Sequence, residues 1–290
     1  MKEIADHIYV ETSFPGVTLG AISWQHGLIM IDTPFRMEDA RSWRSALVNF
    51  SMGGDRLLVL LDANYDRTMG VRFFESTVVG HERLASAFRS RPVNPKAQGS
   101  ENGAEWELNG NLPNVRWIPP DIEVSEDLSI HWDDSPLVLQ ARPGSSNNAL
   151  WATLPGEGVV FVGDAVLINQ PPFLDNADIP LWVESLEALL QPPIEDYLVV
   201  SGRGGLVAAE QISEQIAFLR RAENELGELA AANEPVNKVE TLVEPLLGEL
   251  SFPPERKALY TKRLRWGMMQ YYQKRFHPAE AKGKAGARKA

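Results

Sequence analysis

The sequence predicts an α/β fold, in which buried strands alternate with helices. The unbroken apolar run at 57–61 has the composition of a strand that is buried on both faces of a sheet. Residues 4–12 alternate apolar and polar side chains, as a half-buried strand does. Residues 36–49 place apolar side chains every three or four positions, which is the spacing of an amphipathic helix. Strands and helices mixed in this way are typical of a sheet covered by helices.

Composition and charge limit the partners that the chain can have. Its 290 residues carry a formal net charge of −11, which argues against a nucleic-acid partner because phosphate binding needs clustered lysine and arginine. No apolar run approaches the ~18 residues that cross a bilayer, and the first residues lack a signal-peptide core. We therefore expect a cytoplasmic protein that is not bound to a membrane. Cysteine is absent, which excludes disulfides, thiolate metal sites and cysteine nucleophiles.

Polar residues follow the run at 57–61, at the end of a strand where an α/β sheet usually binds its ligand. Asp62, Asn64 and Asp66 occupy alternate positions there, and Arg67 follows them directly. Four other stretches stand out: a hairpin sequence at 27–33 that ends in Ile-Asp-Thr, Pro-Gly-Ser at 143–145, Gly-Asp at 163–164 and Gly-Arg-Gly at 202–204.

Together these five stretches resemble the metallo-β-lactamase superfamily, in the family's order and over roughly residues 4–220. The resemblance implies a four-layer αββα sandwich, with the site at one edge of the paired sheets. In the family, H-x-H-x-D-H after the buried strand, a histidine after Pro-Gly, the aspartate of Gly-Asp and a histidine in Gly-His-Gly hold one or two zinc ions. The matching positions in this chain are Asp62, Asn64, Asp66, Arg67, Ser145, Asp164 and Arg203.

Five of these seven positions differ from the family, and only Asp66 and Asp164 keep its residue type. None of the five histidines falls on a ligand position, although zinc favours imidazole ligands. A dizinc site of the usual kind, or any other cofactor, is therefore not expected. Arg67 and Arg203 stay charged, and buried carboxylates need partners, so we expect the two arginines to pair with Asp62, Asp66 and Asp164. Asp32, at the end of the hairpin, is expected to accept hydrogen bonds from backbone amides.

Three hypotheses for function follow from this site. The first is a metal-free pseudoenzyme or a protein that binds a small molecule or a small anion. The glycine-rich loop at 202–205 is a candidate anion-binding site. The second is a hydrolase with an altered site, in which oxygen atoms of Asp62, Asn64, Asp66 and Asp164 bind a divalent metal ion; both arginines would then have to point away. The third is homo-oligomer assembly through the C-terminal helices. The sequence names no substrate.

The chain is predicted to divide into three parts. Residues 1–232 form the metallo-β-lactamase-like domain, and residues 233–276 form a helical extension with basic and aromatic side chains. Residues 277–290 are predicted to be a disordered tail, because 279–290 contain only Ala, Gly, Lys, Arg and Glu. The segment at 91–114, rich in Pro, Gly and Asn, is predicted to be a partly disordered surface loop.

Deleting residues 277–290 should leave stability and oligomeric state unchanged, because this tail offers almost nothing to bury. The melting temperature and the elution volume in size-exclusion chromatography measure both properties. Deletion of residues 233–290 is the control that should change at least one of them. A large fall in melting temperature after the short deletion would show that the tail is part of the folded structure.

Overall fold

The computed structural model describes residues 1–48, 50, 54–97, 102–110, 112 and 114–277. Within them, two β-sheets pack face to face, and helices cover both outer surfaces. The predicted αββα sandwich with C-terminal helices is thereby confirmed. Of the predicted tail, residues 278–290 lie outside the described part of the chain. No helix in that part is long and apolar enough to cross a membrane.

The first sheet has seven strands that are ordered as in the chain. They are β1 (Lys2–Ala5), β2 (Ile8–Glu11), β3 (Leu19–Ser23), β4 (Gly27–Ile31), β5 (Asp55–Leu60), β6 (Thr77–His81) and β7 (Ile122–Val124). Strands β1 to β4 pair antiparallel, whereas β4 to β7 pair parallel. The parallel strands therefore bring several carboxyl ends to one edge of the sheet.

The second sheet has six strands in the order β13-β12-β11-β10-β9-β8. They are β8 (Asp127–Ile130), β9 (Leu137–Ala141), β10 (Leu150–Leu154), β11 (Val159–Leu167), β12 (Leu198–Arg203) and β13 (Gly205–Val207). Only β11 and β12 pair parallel among these described strands. The long strand β11 carries Asp164, and β12 ends at Arg203, so this pair contributes two predicted site residues.

Helices complete the two outer layers. The α-helices are α1 (Met37–Leu47), α2 (Tyr65–Thr68), α3 (Arg83–Arg89), α4 (Ile179–Ala188), α5 (Ala209–Ala231), α6 (Glu240–Leu247) and α7 (Lys257–Phe276). Short 3-10 helices lie at Val71–Phe73, Glu105–Leu108, Val236–Val239 and Pro254–Arg256. Buried side chains of α1 and α3 pack on the first sheet, and those of α4 to α7 pack with the second.

The apolar side chains of β4 show how the layers are built. Ile29 and Ile31 point into the core between the sheets, whereas Leu28 and Met30 pack under α1 and α3. Successive side chains of a strand alternate between its faces, so a strand with apolar residues at every position is covered on both sides. The same explanation holds for β5, the unbroken apolar run in the sequence.

The C-terminal extension shares a hydrophobic core with the preceding helices. Leu264, Met268 and Tyr272 of α7 are fully buried in one cluster with residues of α4, α5 and the second sheet. The division at residue 232 remains a prediction, because burial of this kind does not reveal whether the two parts fold separately. It does show that α7 is a packed structural element.

Leu264→Ala should lower the free energy of unfolding by about 2–5 kcal/mol, because it leaves a cavity in this shared core. Leu181→Ala on α4 is the matched control: Leu181 is 42% exposed, and its change should stay within about 0.5 kcal/mol. Denaturant unfolding followed by circular dichroism measures both. Equal stability of Leu264→Ala and the parent chain would contradict the burial of α7.

Candidate functional site

The segment after β5 is shaped by its own polar side chains. Asp62 Oδ1 accepts a hydrogen bond from the Asn64 backbone N–H at 2.6 Å. Asn64 Oδ1 accepts one from the Asp66 N–H at 3.0 Å and so caps the N-terminus of α2. Asx side chains commonly bond to backbone two residues ahead. The alternation of Asp and Asn thus forms this turn, and α2 then directs Arg67 into the protein.

Arg67 is fully buried and contacts three carboxylates. Its Nη1 donates to Asp32 Oδ2 at 2.7 Å, its Nε lies 3.1 Å from Asp62 Oδ1, and its Nη2 donates to Asp164 Oδ1. Asp32 also accepts the Leu61 backbone N–H at 3.0 Å, as expected from the sequence, but its contact with Arg67 was not predicted. One guanidinium group therefore joins residues just after β4 and β5 to Asp164 within β11.

Arg203 lies beside Arg67 and contacts two carboxylates. Its Nη1 donates to Asp66 Oδ2 at 2.6 Å, and its Nε donates to Asp164 Oδ1 at 3.0 Å. The guanidinium carbon also lies 4.8 Å from the centre of the Phe173 ring, which is within cation–π range. We refer to the six charged side chains as the buried ionic cluster: Asp32, Asp62, Asp66, Arg67, Asp164 and Arg203.

The buried ionic cluster contains four carboxylates and two guanidinium groups, so not all of its acids ionise easily. Burial raises the pKa of Asp32 to about 7 although Arg67 opposes this, and burial also raises the pKa of Asp62. For Asp164, burial is outweighed by Arg203 and Arg67, which together hold its pKa below the ordinary value. Burial thus favours the protonated form of Asp32 and Asp62, whereas the two arginines favour the ionised form of Asp164.

A cleft of about 680 Å³ lies above the buried ionic cluster. Of the seven predicted site residues, the structure brings Asp62, Asn64, Ser145 and Asp164 to the wall of this cleft. The other three lie beneath it, nearly or fully buried: Asp66, Arg67 and Arg203. The predicted positions therefore meet in space, but they are divided between the surface of the cleft and its floor.

The segment at 102–108 covers Asp66, and the prediction of a surface loop is wrong for these residues. The buried carboxylate of Asp66 accepts the backbone N–H groups of Glu105 at 3.1 Å and Trp106 at 2.7 Å. Trp106 is fully buried. These two hydrogen bonds pull the segment inward. A tryptophan within an otherwise polar stretch was the signal in the sequence.

The C-terminal helix holds this segment in place from the other side. Arg256, the last residue of the 3-10 helix before α7, pairs with Glu105, and Lys262 Nζ of α7 lies 2.8 Å from Glu107 Oε2. The buried Arg263 donates from Nε to the Gly103 carbonyl at 2.8 Å. Burial, followed by repulsion from Arg203, lowers the pKa of Arg263 to about 10. Basic residues of α7 therefore contribute to the site, which sequence reasoning did not anticipate.

The glycine-rich stretch at 202–205, the candidate anion site, is a tight hairpin between β12 and β13. The backbone N–H groups of Gly204 and Gly205 each donate to Thr18 Oγ1 at 3.1 Å. Both glycines have positive φ values of 123° and 82°, which such a turn requires. Because Thr18 uses these donors, the loop offers no open cradle for an anion.

The cleft also contains residues that sequence reasoning missed. Arg83 and Arg91 line one side of it, and Trp266 of α7 lines another. Asn147 and Asn148 follow the Pro-Gly-Ser stretch, and Asn148 Oδ1 accepts the Ala63 backbone N–H at 2.9 Å. None of them belongs to a motif, and they come from distant parts of the chain. Only the fold could have identified them.

The residues of the buried ionic cluster do not fit the family's metal centre. A zinc ion takes imidazole and carboxylate ligands with an open position for water. Here the oxygen atoms of Asp66 and Asp164 face guanidinium nitrogens, and no histidine stands at a ligand position. Within the described ranges, Glu3, Asp6 and His7 are the one trio of acidic and histidine residues close enough to share an ion, and all three are exposed.

Comparisons with known proteins agree with the architecture. The family model described as the metallo-β-lactamase superfamily matches residues 69–201. No curated protein matches the chain. Among solved structures, the sec-alkylsulfatase Pisa1 from Pseudomonas sp. aligns at a TM-score of 0.68 and 15% identity, over 96% of this chain and 51% of that one. The chain therefore spans about half the length of that enzyme.

Two smaller proteins align as well. A metallo-β-lactamase family protein from Thermus thermophilus has a TM-score of 0.65 and 15% identity, over 96% of both chains. A metallo-β-lactamase from Pontibacter korlensis has a TM-score of 0.58 and 18% identity, over 76% of this chain and 97% of that one. At these identities the likeness shows the fold. Together, these comparisons show that the chain has the metallo-β-lactamase fold and that residues 69–201 match the model of the metallo-β-lactamase superfamily.

Proposed function

We propose that this chain is a metal-free member of the superfamily that binds a small molecule in its cleft. The observation that carries the proposal is that Arg67 and Arg203 together contact four carboxylates at the edge of the sheets. Three of those carboxylates, Asp62, Asp66 and Asp164, stand at family ligand positions. The two guanidinium groups supply the positive charge that metal ions supply in the family.

Electrostatics supports this assignment. A carboxylate cluster removed from water is stable only when cations or protons balance it. An arginine remains protonated at any physiological pH, and a divalent ion beside it would be repelled. The carboxylates raise the pKa values of Arg67 and Arg203 above the ordinary arginine value, despite burial. The cluster thus keeps its cations, and we infer that it does not exchange them for metal.

The contacts within the buried ionic cluster favour binding of a ligand over hydrolysis of a substrate. Family hydrolysis needs a metal-activated water, and the buried ionic cluster has no free ligand set to hold that metal. The cleft above it remains open and polar. The related solved structures include proteins named as a sulfatase and as metallo-β-lactamases. Comparable activity here would need the altered metal site of Asp62, Asn64, Asp66 and Asp164, with both arginines turned out of their present contacts.

The assembly hypothesis concerns α7. Its basic residues Lys262 and Arg263 point toward the segment at 102–108, and its apolar residues belong to the shared core. These contacts favour a structural role for α7 within one chain. An oligomer contact remains a prediction that measurement of molecular mass in solution tests.

Purified protein should contain less than about 0.1 zinc or other divalent ion per chain, because guanidinium groups hold the carboxylates. It should also show no metal-dependent hydrolysis of lactam, thioester or phosphodiester substrates. Elemental analysis after purification without chelators measures the first property. The control is a variant with Asp62→His, Asn64→His, Arg67→His, Ser145→His and Arg203→His, which should gain zinc affinity. One zinc ion per parent chain would overturn the proposal.

Arg203→Ala should lower the free energy of unfolding at neutral pH by about 3–5 kcal/mol, because it leaves the buried Asp66 without its cation and Asp164 with Arg67 alone. Arg203 and Arg67 hold the pKa of Asp164 below its ordinary 3.8, so this stabilisation is present above that value and is lost as the pH falls through the lower pKa. As the pH falls, the carboxylates of the variant should take up protons at a higher pH than those of the parent chain. The loss of unfolding free energy relative to the parent chain should therefore be smaller at about pH 4.5 than at about pH 7.

Arg220→Ala is the matched control for this measurement. Arg220 pairs with Glu187 at the surface, where both side chains are largely exposed, and such a pair contributes about 1 kcal/mol or less. Urea unfolding of both variants at the two pH values gives the comparison. If Arg203→Ala is as mild as Arg220→Ala at each pH, then Arg203 does not replace a metal charge.

A further inference from the structure

One side of the cleft is basic, and its charges differ from those of the buried ionic cluster. Arg83, Ser86, Ser90 and Arg91 line the cleft from α3 and the residues directly after it. The first three are three or four positions apart, a spacing that places side chains along one face of a helix. Two cations and two hydroxyl groups therefore face the same space.

Arg91 lines this side of the cleft and contacts aromatic rings and neutral oxygen atoms. Its guanidinium carbon lies 4.1 Å from the centre of the Tyr65 ring and 4.6 Å from that of Trp117. It donates to Thr68 Oγ1 at 3.0 Å and to the Ala63 carbonyl, both of which are neutral acceptors. No carboxylate of the described residues pairs with it. Burial lowers its pKa to about 10, so it remains a cation at neutral pH.

Arg83 is exposed on the same side of the cleft, and it also lacks an acidic partner within the described ranges. Its Nη1 donates to the Asn147 carbonyl at 3.2 Å. The other arginines close to the cleft floor, Arg67 and Arg203, are bound to carboxylates. Both arginines line the same cleft of a chain whose net charge is −11. A cation held away from carboxylates is available to an anion from solution.

The remainder of the cleft suits the uncharged organic part of a ligand that carries an anionic group. Its volume of about 680 Å³ is that of a small-molecule site. Amide and hydroxyl groups of Asn147, Asn148 and Ser146 line it, and Trp266 provides an aromatic wall. Asp62 and Asp164 also face the cleft, but their charges are bound from below by Arg67. Asp175 lies there too, and burial raises its pKa.

We propose that the cleft binds a small organic oxyanion, with the oxyanion held by Arg83 and Arg91 and the organic part lying toward Trp266. This proposal rests on the proposed function, since it names the ligand class of the same cleft. Carboxylate, sulfate and phosphate share the chemistry that arginine recognises, namely two oxygen atoms placed for its forked donors. The neutral amides hold the uncharged part.

Isothermal titration calorimetry with 4-nitrobenzoate, 4-nitrophenyl sulfate and 4-nitrophenyl phosphate tests this in low-salt buffer. The neutral 4-nitrophenyl β-glucoside has the same ring and no charge. At least one anion should bind about tenfold more tightly than the glucoside, because charge-assisted bonds are made only with the anion. Comparison of the three anions also identifies which oxyanion is preferred. Inorganic phosphate should bind more weakly than its nitrophenyl ester if the organic part contributes.

Arg83→Gln should weaken binding of the preferred anion by about tenfold, the loss of one charge-assisted contact. Arg89→Gln is the matched control, since Arg89 is exposed on the same helix and does not line the cleft. Arg91→Lys should also weaken binding, because lysine keeps the charge and loses the fork. Arg83 is exposed, so its variant tests the proposal even if Arg91→Lys folds poorly.

Three results would overturn the proposal: no anion binds below about 10 mM; the glucoside binds as well as the anions; or Arg83→Gln and Arg89→Gln bind alike. These outcomes are separate from failure of the metal-free proposal, which elemental analysis decides. Zinc in a chain that still binds anions through Arg83 would contradict only the earlier proposal. Metal-free protein that binds no anion would contradict only this one.

Discussion

Asp164 lies between two guanidinium groups, and most of the site geometry depends on those contacts. Arg67 reaches it from α2, which follows β5 of the first sheet, and Arg203 reaches it from β12, the neighbour of β11 in the second sheet. Asp32 and Asp62 contact other nitrogen atoms of Arg67, and Asp66 contacts Nη1 of Arg203. Because removal of one member leaves a buried charge without a partner, the contacts depend on one another. The cluster therefore ties the two sheets together where their strands end.

The same requirement for charge balance extends to the C-terminal helix. Asp66 binds two backbone N–H groups of the segment at 102–108, and the acidic side chains of that segment bind Arg256 and Lys262. A residue at a family ligand position thus anchors a segment that covers it. The extension also shares its apolar core with α4 and α5. Stability of the site and packing of the extension are for this reason physically connected.

The arginines near the cleft fall into two groups, and the difference bears on function. Arg67 and Arg203 are bound to carboxylates, so their charge is used within the protein. Arg83 and Arg91 contact neutral acceptors and aromatic rings. The first group explains how four carboxylates are accommodated together in the interior. The second leaves positive charge facing a cleft in an acidic protein.

The sequence by itself determined the fold class, and it singled out seven positions that the structure brings together in or beneath one cleft. These depend on local periodicity and on motifs within a few residues, which are readable without a structure. The positions of Arg91, Trp266 and the segment at 102–108 were decided only by tertiary structure. Arg91 contacts Tyr65 and Thr68, and the segment at 102–108 contacts Asp66 through Trp106, all of them pairs of residues that lie far apart in the chain. Whether an arginine has an acidic partner depends on such distant neighbours, and local sequence does not encode them.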